Sequence, residues 1–463
     1  MKLCRNKDLF SPDYHLYVGK GWVNDPCGCS IYKGEYHIFF QYHEEPTPLG
    51  PGKWYHMKSS NLMEWEELGI CLRPEFLYEK NGCWTGSSFE SEGKHFIIYS
   101  GNLDGRLPQQ QPVIACSEDG IHYKKCVDRP VITSPSPDGH YEMRDPKVFI
   151  RGNEYFMLQG ATRDGKGEVV GYSSKDGHHW DYKGIFFQSK KWMGNMYECP
   201  DFFSLEGKDF LVLSPMNWTG HKNILLCGKA DFESFRFECE QMVDLDLGSD
   251  FYAAQSFPLK DGGIAIVGWL GNWGKPHPED RLGWAGMLSC TRRVHYEKES
   301  RKIVFLPGDE LEQMRIGKAV HWSTTVKNMP ITHPALEGAH KDIVIKTQKN
   351  DDQEDVRLSI TVISEDKVII KVTLDFLRNL IQIDKTMAEE GDNGSTIISC
   401  DLLEKDKLRL LLDGSAFELF TGNGQVITER IYPSSLEMHT MLNCESGTLD
   451  CDIAGYDMGS FYN

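Results

Sequence analysis

Nowhere in the 463 residues do the 18 or so consecutive apolar residues of a membrane span occur, and Met1-Lys2-Leu3-Cys4-Arg5-Asn6-Lys7-Asp8 leads into no apolar segment of signal-peptide length. The expectation is a cytoplasmic protein. Basic clusters are also missing, and a formal net charge of −18 repels polyanions, so neither nucleic acid nor an anionic membrane surface is an expected partner. The 14 cysteines include no C-x-x-C pair. Cys27 and Cys29 could supply half a metal site, but no second pair stands at zinc spacing, so no metal and no cofactor is expected. The thiols read instead as buried or free groups of a reducing compartment. Amphipathic helical periodicity is scarce over the first two thirds, which disfavours a solenoid of helix pairs.

What is present is a β-rich, well-packed composition: 40% apolar and 11% aromatic residues. That places the chain in the soluble globular class, with a length that suggests two domains. Short apolar strands recur at Ile38-Phe39-Phe40, Phe96-Ile97-Ile98-Tyr99, Tyr155-Phe156-Met157-Leu158, Phe210-Leu211-Val212-Leu213 and Ile264-Ala265-Ile266-Val267. The spacing falls in the range of propeller and array repeats. Each follows a polar turn containing glycine, among them Lys33-Gly34-Glu35, Glu92-Gly93-Lys94 and Glu206-Gly207-Lys208, which is hairpin chemistry. A second marker keeps the same beat: Ser60-Asn61-Leu62-Met63-Glu64-Trp65, Ser117-Glu118-Asp119-Gly120-Ile121-His122-Tyr123 and Ser174-Lys175-Asp176-Gly177-His178-His179-Trp180. Repeated four-stranded units of this length predict a β-propeller, with room for five blades before residue 300.

Past Leu306-Pro307-Gly308 the beat stops, one short helix is expected over residues 309–315, and strand-like stretches follow at 356–362, 368–372 and 408–412. The reading is all-β: a five-bladed β-propeller over 1–305, a linker with a short helix over 306–320, and a β-sandwich over 321–463.

In a propeller the innermost strand of each blade lines the central channel. Residues at one phase of the repeat therefore converge in space although they are far apart in sequence. At that phase stand Trp22-Val23-Asn24-Asp25-Pro26, Arg144-Asp145-Pro146 and Glu198-Cys199-Pro200-Asp201. Taken singly, Asn-Asp-Pro and Arg-Asp-Pro are plausible turns. Taken together they bring several acids to one pocket, an arrangement that is expensive unless it serves chemistry. A crowded carboxyl is suited to general acid work and a well hydrogen-bonded one to nucleophilic attack, the pair that most glycosidases use. Trp22, Trp84, Trp269 and Trp273 could offer flat faces to a sugar, and Asn24, Gln41, Ser87 and Arg144 polar groups for its hydroxyls. Each tryptophan could equally be blade packing. A cysteine nucleophile at Cys27 or Cys199 lacks a clear oriented base.

These segments resemble glycoside hydrolase family 32, the invertases and fructan hydrolases. Trp22-Val23-Asn24-Asp25-Pro26-Cys27-Gly28 is similar to the family's W-M-N-D-P-N-G, Met143-Arg144-Asp145-Pro146 to its R-D-P element, and Tyr197-Glu198-Cys199-Pro200-Asp201 to its E-C-P-D element. Phe40-Gln41-Tyr42, Trp84-Thr85-Gly86-Ser87, Phe251-Tyr252-Ala253-Ala254-Gln255 and Gly283-Trp284-Ala285-Gly286 also match. In the sandwich, Leu412-Asp413-Gly414-Ser415-Ala416-Phe417-Glu418-Leu419-Phe420 is similar to D-x-S-x-x-E-x-F, so the likeness covers nearly the whole chain. It implies Asp25 as nucleophile, Glu198 as acid and base, Asp145 as transition-state stabiliser, and Asn24, Gln41, Trp84, Thr85 and Arg144 as substrate contacts; with Trp22 and Trp54 these make the expected substrate-binding set. Cys27 and His43 depart from the family pattern and could reshape the fructose pocket.

The implied partner is a small sugar. Gly50-Pro51-Gly52-Lys53-Trp54-Tyr55-His56 resembles the bacterial sucrose-6-phosphate hydrolase branch, and Lys53, His56, Arg106 and Arg163 are loop candidates for a phosphate contact. Other readings are hydrolysis of short fructans, fructosyl transfer, or a carbohydrate-binding propeller without catalysis.

Overall fold

The computed structural model describes residues 7–126, 129–220, 222–349, 355–403 and 405–462; Cys4 lies outside them. The chain divides into two compact units, one of residues 20–245 and 251–269, the other of residues 2–19, 246–250 and 270–463.

The first unit is built from antiparallel meanders. Gly21–Tyr32, Glu35–His43, Lys53–Ser59 and Trp65–Leu72 form the first, and Gly82–Ser91, Lys94–Asn102, Gln110–Ser117 and Lys124–Lys125 the second. Glu142–Arg151, Glu154–Arg163, Lys166–Ser174 and Asp181–Gln188 form the third, and Met196–Leu205, Lys208–Met216, Ile224–Asp231 and Arg236–Asp244 the fourth. A fifth repeat opens with Tyr252–Pro258 paired to Ile264–Leu270. Three of the first hairpins turn through Lys33-Gly34, Glu92-Gly93 and Glu206-Gly207, both residues having positive φ in each case. This is the type I′ geometry whose twist matches the strands it joins. The repeated serine marker closes the outer hairpins: Ser117 Oγ accepts from Gly120 N and Asp119 Oδ1 from His122 N, and Ser174 and Asp176 do the same for Gly177 and His179.

Each sheet buries one face against the next. Phe39 and Trp54 of the first pack with Ile97, Tyr99 and Val113 of the second. Phe96 and Ile98 pack with Met157 and Val170 of the third, and Phe156 and Phe186 with Phe202 and Leu211 of the fourth. The inner strands, which begin at Gly21, Gly82, Glu142, Met196 and Tyr252, neighbour one another in a closed ring. That packing is a β-propeller, and it sets the start of every inner strand at one end of the unit.

In the second unit a short helix, Glu310–Gln313, precedes two sheets. One orders Arg315–Val326, Leu449–Met458, His340–Lys349, Lys405–Asp413, Ala416–Phe420 and Val426–Arg430. The other orders Ser395–Ser399, Leu380–Asp384, Lys367–Asp375, Arg357–Ser364 and Met438–Ser446, and their inner faces enclose a core of Ile343, Ile345, Leu358, Ile360, Leu410 and Ile453. This is the sandwich. Its first strand starts at Arg315, inside the stretch expected to be linker, because that edge strand is largely exposed and carries no apolar alternation to announce it.

Candidate active site

The five inner strands share a fault in their pairing. Register slips between Val23 and Pro26, Cys83 and Gly86, Arg144 and Lys147, Glu198 and Asp201, and Tyr252 and Gln255. A bulge inserts unpaired backbone and re-aims side chains that a regular strand would send to alternate faces. Asp145, Cys199 and Ala253 adopt φ of 58°, 48° and 54°, a left-handed conformation that costs a non-glycine residue about 1 kcal/mol or more. Asn24-Asp25, Trp84-Thr85, Asp145-Pro146 and Cys199-Pro200 thus stand at equivalent places around the ring.

Asp25 Oδ1 accepts from Asn24 Nδ2 at 3.1 Å, and Oδ2 from Thr85 Oγ1 at 2.9 Å. Burial and the neighbouring Glu198 push its carboxyl up to about 6, while the bonds from Asn24 and Thr85 work in the other direction. Asp145 is also held above the carboxylate range, by burial and Glu198, against the pull of Arg144. Its Oδ2 takes the Cys199 backbone N–H at 2.9 Å, and its own N–H is fixed by Ser100 Oγ at 2.9 Å. The Cys199 thiol lies 3.7 Å from Asp25 Oδ2 and 3.6 Å from Asp145 Oδ2, so one sulfur joins the two carboxyls. Glu198 Oε1 accepts from Arg144 Nε at 3.0 Å and Oε2 from the Tyr252 hydroxyl at 2.7 Å. The site therefore holds three carboxyl groups at different degrees of support, with one guanidinium among them.

The structure brings together most of the expected set. Trp22 Nε1 donates to Asn24 Oδ1 at 3.1 Å, Gln41 is buried with its Nε2 lacking a hydrogen-bond partner among the described residues, and Trp84 is half-buried beside Thr85. Trp54 is a correction. It lies on the third strand from the channel, Lys53–Ser59, opposite Gln41, and is 0% exposed, sealed between the first and second sheets, so it cannot touch substrate. Its indole N–H donates to the Trp84 carbonyl at 3.0 Å, which makes it a support for that bulge.

Ser87 is likewise spent, donating to Pro146 O and accepting from Val148 N. Trp269 is fully buried behind Trp22, at 5.7 Å between rings, and Trp273 belongs to the second unit. Asp201 is buried against Lys147 at 2.7 Å and Ser256, away from the other acids. Among the phosphate candidates His56 is no loop residue: it is buried in a strand, stacked on Phe39 at 4.0 Å, and burial holds it well below the ordinary histidine value. Arg163 is tied to Glu168 at 3.0 Å. Cys27 is buried among Phe39, Trp54 and Cys83, and burial raises both its thiol and that of Cys199 well above the usual value, the opposite of what a thiolate nucleophile needs.

Three partners escaped the residue-by-residue reading: Tyr252, Ser100 and Cys199 as a bridge between carboxyls. Tyr252 occupies in the fifth inner strand, just before the bulge, the place that Arg144 and Glu198 occupy in theirs, which was the available signal. A cluster of metal-ligand type among the described residues lies in the second unit, at His15, Cys290 and Glu418. There His15 Nδ1 faces Asp413 Oδ2 at 2.8 Å and Nε2 faces Glu418 Oε1 at 2.9 Å. Burial opposes its protonation, but Cys290, Asp413 and Glu418 outweigh it and hold His15 above its ordinary value. An imidazolium donating on both sides has no lone pair for a metal.

Residues 15–307 match the glycosyl hydrolases family 32 N-terminal domain, and residues 310–452 the glycosyl hydrolases family 32 C terminal. A sucrose-6-phosphate hydrolase of Escherichia coli is 29% identical over 462 residues, covering 96% of this chain and 94% of its own. Among solved structures, the family 32 β-fructofuranosidase of Bombyx mori superposes with a TM-score of 0.86 at 27% identity, covering 98% of this chain and 95% of its own. The sucrose-6-phosphate hydrolase of Lactobacillus gasseri does so with 0.85 at 25%, covering 98% and 94%.

Proposed function

The chain belongs to glycosyl hydrolase family 32, and from that premise we propose that it is a retaining β-fructofuranosidase acting on sucrose or sucrose 6-phosphate in the cytoplasm. Asp25 is the nucleophile, Glu198 the acid and then the base, and Asp145 the group that holds fructosyl hydroxyls as charge develops. The supporting observation is the placement of these three carboxyls on bulges of one ring, each with its own supports: Asn24 and Thr85 for Asp25, Cys199 for Asp145, Arg144 and Tyr252 for Glu198.

In the first step Glu198 gives its proton to the glycosidic oxygen. The bond from that oxygen to the anomeric carbon breaks, and an Asp25 oxygen bonds to that carbon from the opposite face. With its carboxyl at about 6, Asp25 is mostly ionised at neutral pH and available to attack. In the second step Glu198, now a carboxylate, takes a proton from water; the resulting oxygen displaces Asp25, and fructose leaves with its configuration retained. Asp145 makes both its Cys199 contacts through Oδ2, which leaves Oδ1 for the sugar. Trp22, Asn24, Gln41, Trp84, Thr85 and Arg144 line the fructosyl position. The free thiols of all thirteen described cysteines suit a reducing compartment.

Parallel kinetics on sucrose, sucrose 6-phosphate and a fructo-oligosaccharide, with the first-formed fructose anomer followed by NMR, test this reading. The expected product is the β-anomer from the two sucrose substrates. First-formed α-anomer, or a Glu198→Gln variant as active as the native protein, overturns the assignment.

A further inference from the structure

Lys53, of the expected phosphate set, lines a cavity, and two cations that the sequence reading passed over, Arg73 and Lys80, line it too. The strand Glu35–His43 ends, and Lys53–Ser59 begins, at the end of the sheet from which Asp25 projects: Tyr42 pairs with Lys53 and Gln41 with Trp54. The second inner strand starts at Gly82, bridges to Gly52, and is anchored by Cys83 N donating to Gly52 O at 2.9 Å. The loops at 44–52 and 73–81 therefore lie side by side at the carboxylate end of the first two sheets. Between them is a cavity of about 540 Å³, lined among others by Pro51, Lys53, Arg73, Glu75 and Lys80.

The charge in this cavity runs against that of the chain. Three cations face one lining carboxylate in a protein of net charge −18. Lys53 pairs with Glu44, and Arg73 Nη1 lies 3.9 Å from the same Glu44 oxygen. Two cations, one at the start of a strand and one in the loop after the next strand, thus converge on one half-exposed carboxylate, whose side chain is 50% accessible. A phosphate monoester carries nearly twice the charge of a carboxylate and three acceptor oxygens, so it competes well for that position. The reach is also suitable. Thr85, which donates to Asp25, is three residues from Gly82, about 10 Å along a strand at ~3.3 Å per residue, a distance comparable with the length of a phosphorylated hexose.

We propose that Lys53, Arg73 and Lys80 form a cradle for a phosphate monoester on the leaving sugar, displacing Glu44 when it binds. This rests on the reading of the chain as a β-fructofuranosidase and specifies how it would select sucrose 6-phosphate. His56 has no part in the cradle, being sealed in the sheet, and Arg163 is committed to Glu168.

The test is the ratio of kcat/KM for sucrose 6-phosphate to that for sucrose, in the native protein and in Arg73→Gln, Lys80→Gln and the double variant. Losing one charge-assisted contact should lower the ratio about tenfold, and the double variant more. A double variant with the native ratio overturns the proposal. Calorimetric titration of the full-length Glu198→Gln variant with glucose 6-phosphate and with glucose gives a second measurement, with thermal melts to confirm folding. Glucose 6-phosphate should bind about tenfold or more tighter, and this advantage should vanish with Arg73 and Lys80 both replaced; equal binding of the two sugars overturns the cradle. Native protein that cleaves no fructoside would defeat the reading of the reaction, whereas the titration still reports on the cradle alone.

Discussion

In the propeller unit Asp25 and Asp145 are buried beside Glu198 and lie above the ordinary carboxylate range. In the second unit Asp413, Glu418, Asp250 and Glu279 are as deeply buried and lie below it, Glu418 and Glu279 at about 2. Burial acts in the same direction in both places; the company differs. Glu418 meets Arg292 Nη2 at 2.7 Å and His15 at 2.9 Å, Asp413 meets His15 and His340, Asp250 meets Lys275 and Lys385, and Glu279 meets Arg430. Around Asp25 the partners are an amide, a hydroxyl, a thiol and two other acids. These acids of the second unit are matched by buried cations, while in the first unit Asp25 and Asp145 are buried against other acids without a cation of their own. Asp246 marks the limit of the contrast, since burial takes it to about 6 even with Arg292 at 2.7 Å.

The largest expected effect separates activity from stability at one residue. Asp25→Asn should lose about 10⁴-fold or more in kcat. A raised carboxyl favours the folded state below its unfolded value near 3.8 and loses that advantage as pH rises through 6, so at neutral pH its ionisation works against folding. The variant should therefore melt higher by the equivalent of about 1 to 3 kcal/mol; a lower melting temperature would break the contrast at its active end. Glu418→Gln should do the reverse, costing about 3 to 5 kcal/mol in denaturant titration by leaving Arg292 and His15 partly unmatched in the interior, and a native-like midpoint would mean that the buried pairs are not what holds the unit.

Acid should distinguish the two units without any mutation. Glu418 is depressed, so its contribution is complete above about 4.5 and disappears as pH falls through 2. Asp25 loses its charge below 6. At pH 5 the protein should remain folded by circular dichroism while kcat/KM falls about tenfold, and should recover fully on return to pH 7. The smallest effect belongs to Tyr252→Phe, which removes the 2.7 Å bond to Glu198: kcat should drop several-fold, with KM and the thermal melt close to native.

Much of this site could be read from residue order, because the propeller repeat converts phase into position. Asp25, Asp145 and Glu198 fall within three residues of one phase, at or beside the bulges at Val23–Pro26, Arg144–Lys147 and Glu198–Asp201. Trp54 and His56 were misread for a common reason: they stand two residues apart on one strand, so both side chains leave the same face, and that face is the one packed in the core, which a nearby sugar motif or loop does not reveal. Arg73 and Lys80 were missed because their meeting with Lys53 depends on a bridge between Gly52 and Gly82 that no local pattern announces.

By itself the sequence determined the all-β class, the repeat, the family and the three carboxyls, since strand periodicity, turn chemistry and short motifs are local properties of the chain. Only the tertiary structure decided which tryptophan stays half-exposed beside Thr85 and which is core, which buried acids are matched by cations and which are not, and where Lys53, Arg73 and Lys80 line one cavity. Those outcomes depend on desolvation and on through-space charge, and both are set by residues far away in sequence that folding brings within a few ångströms.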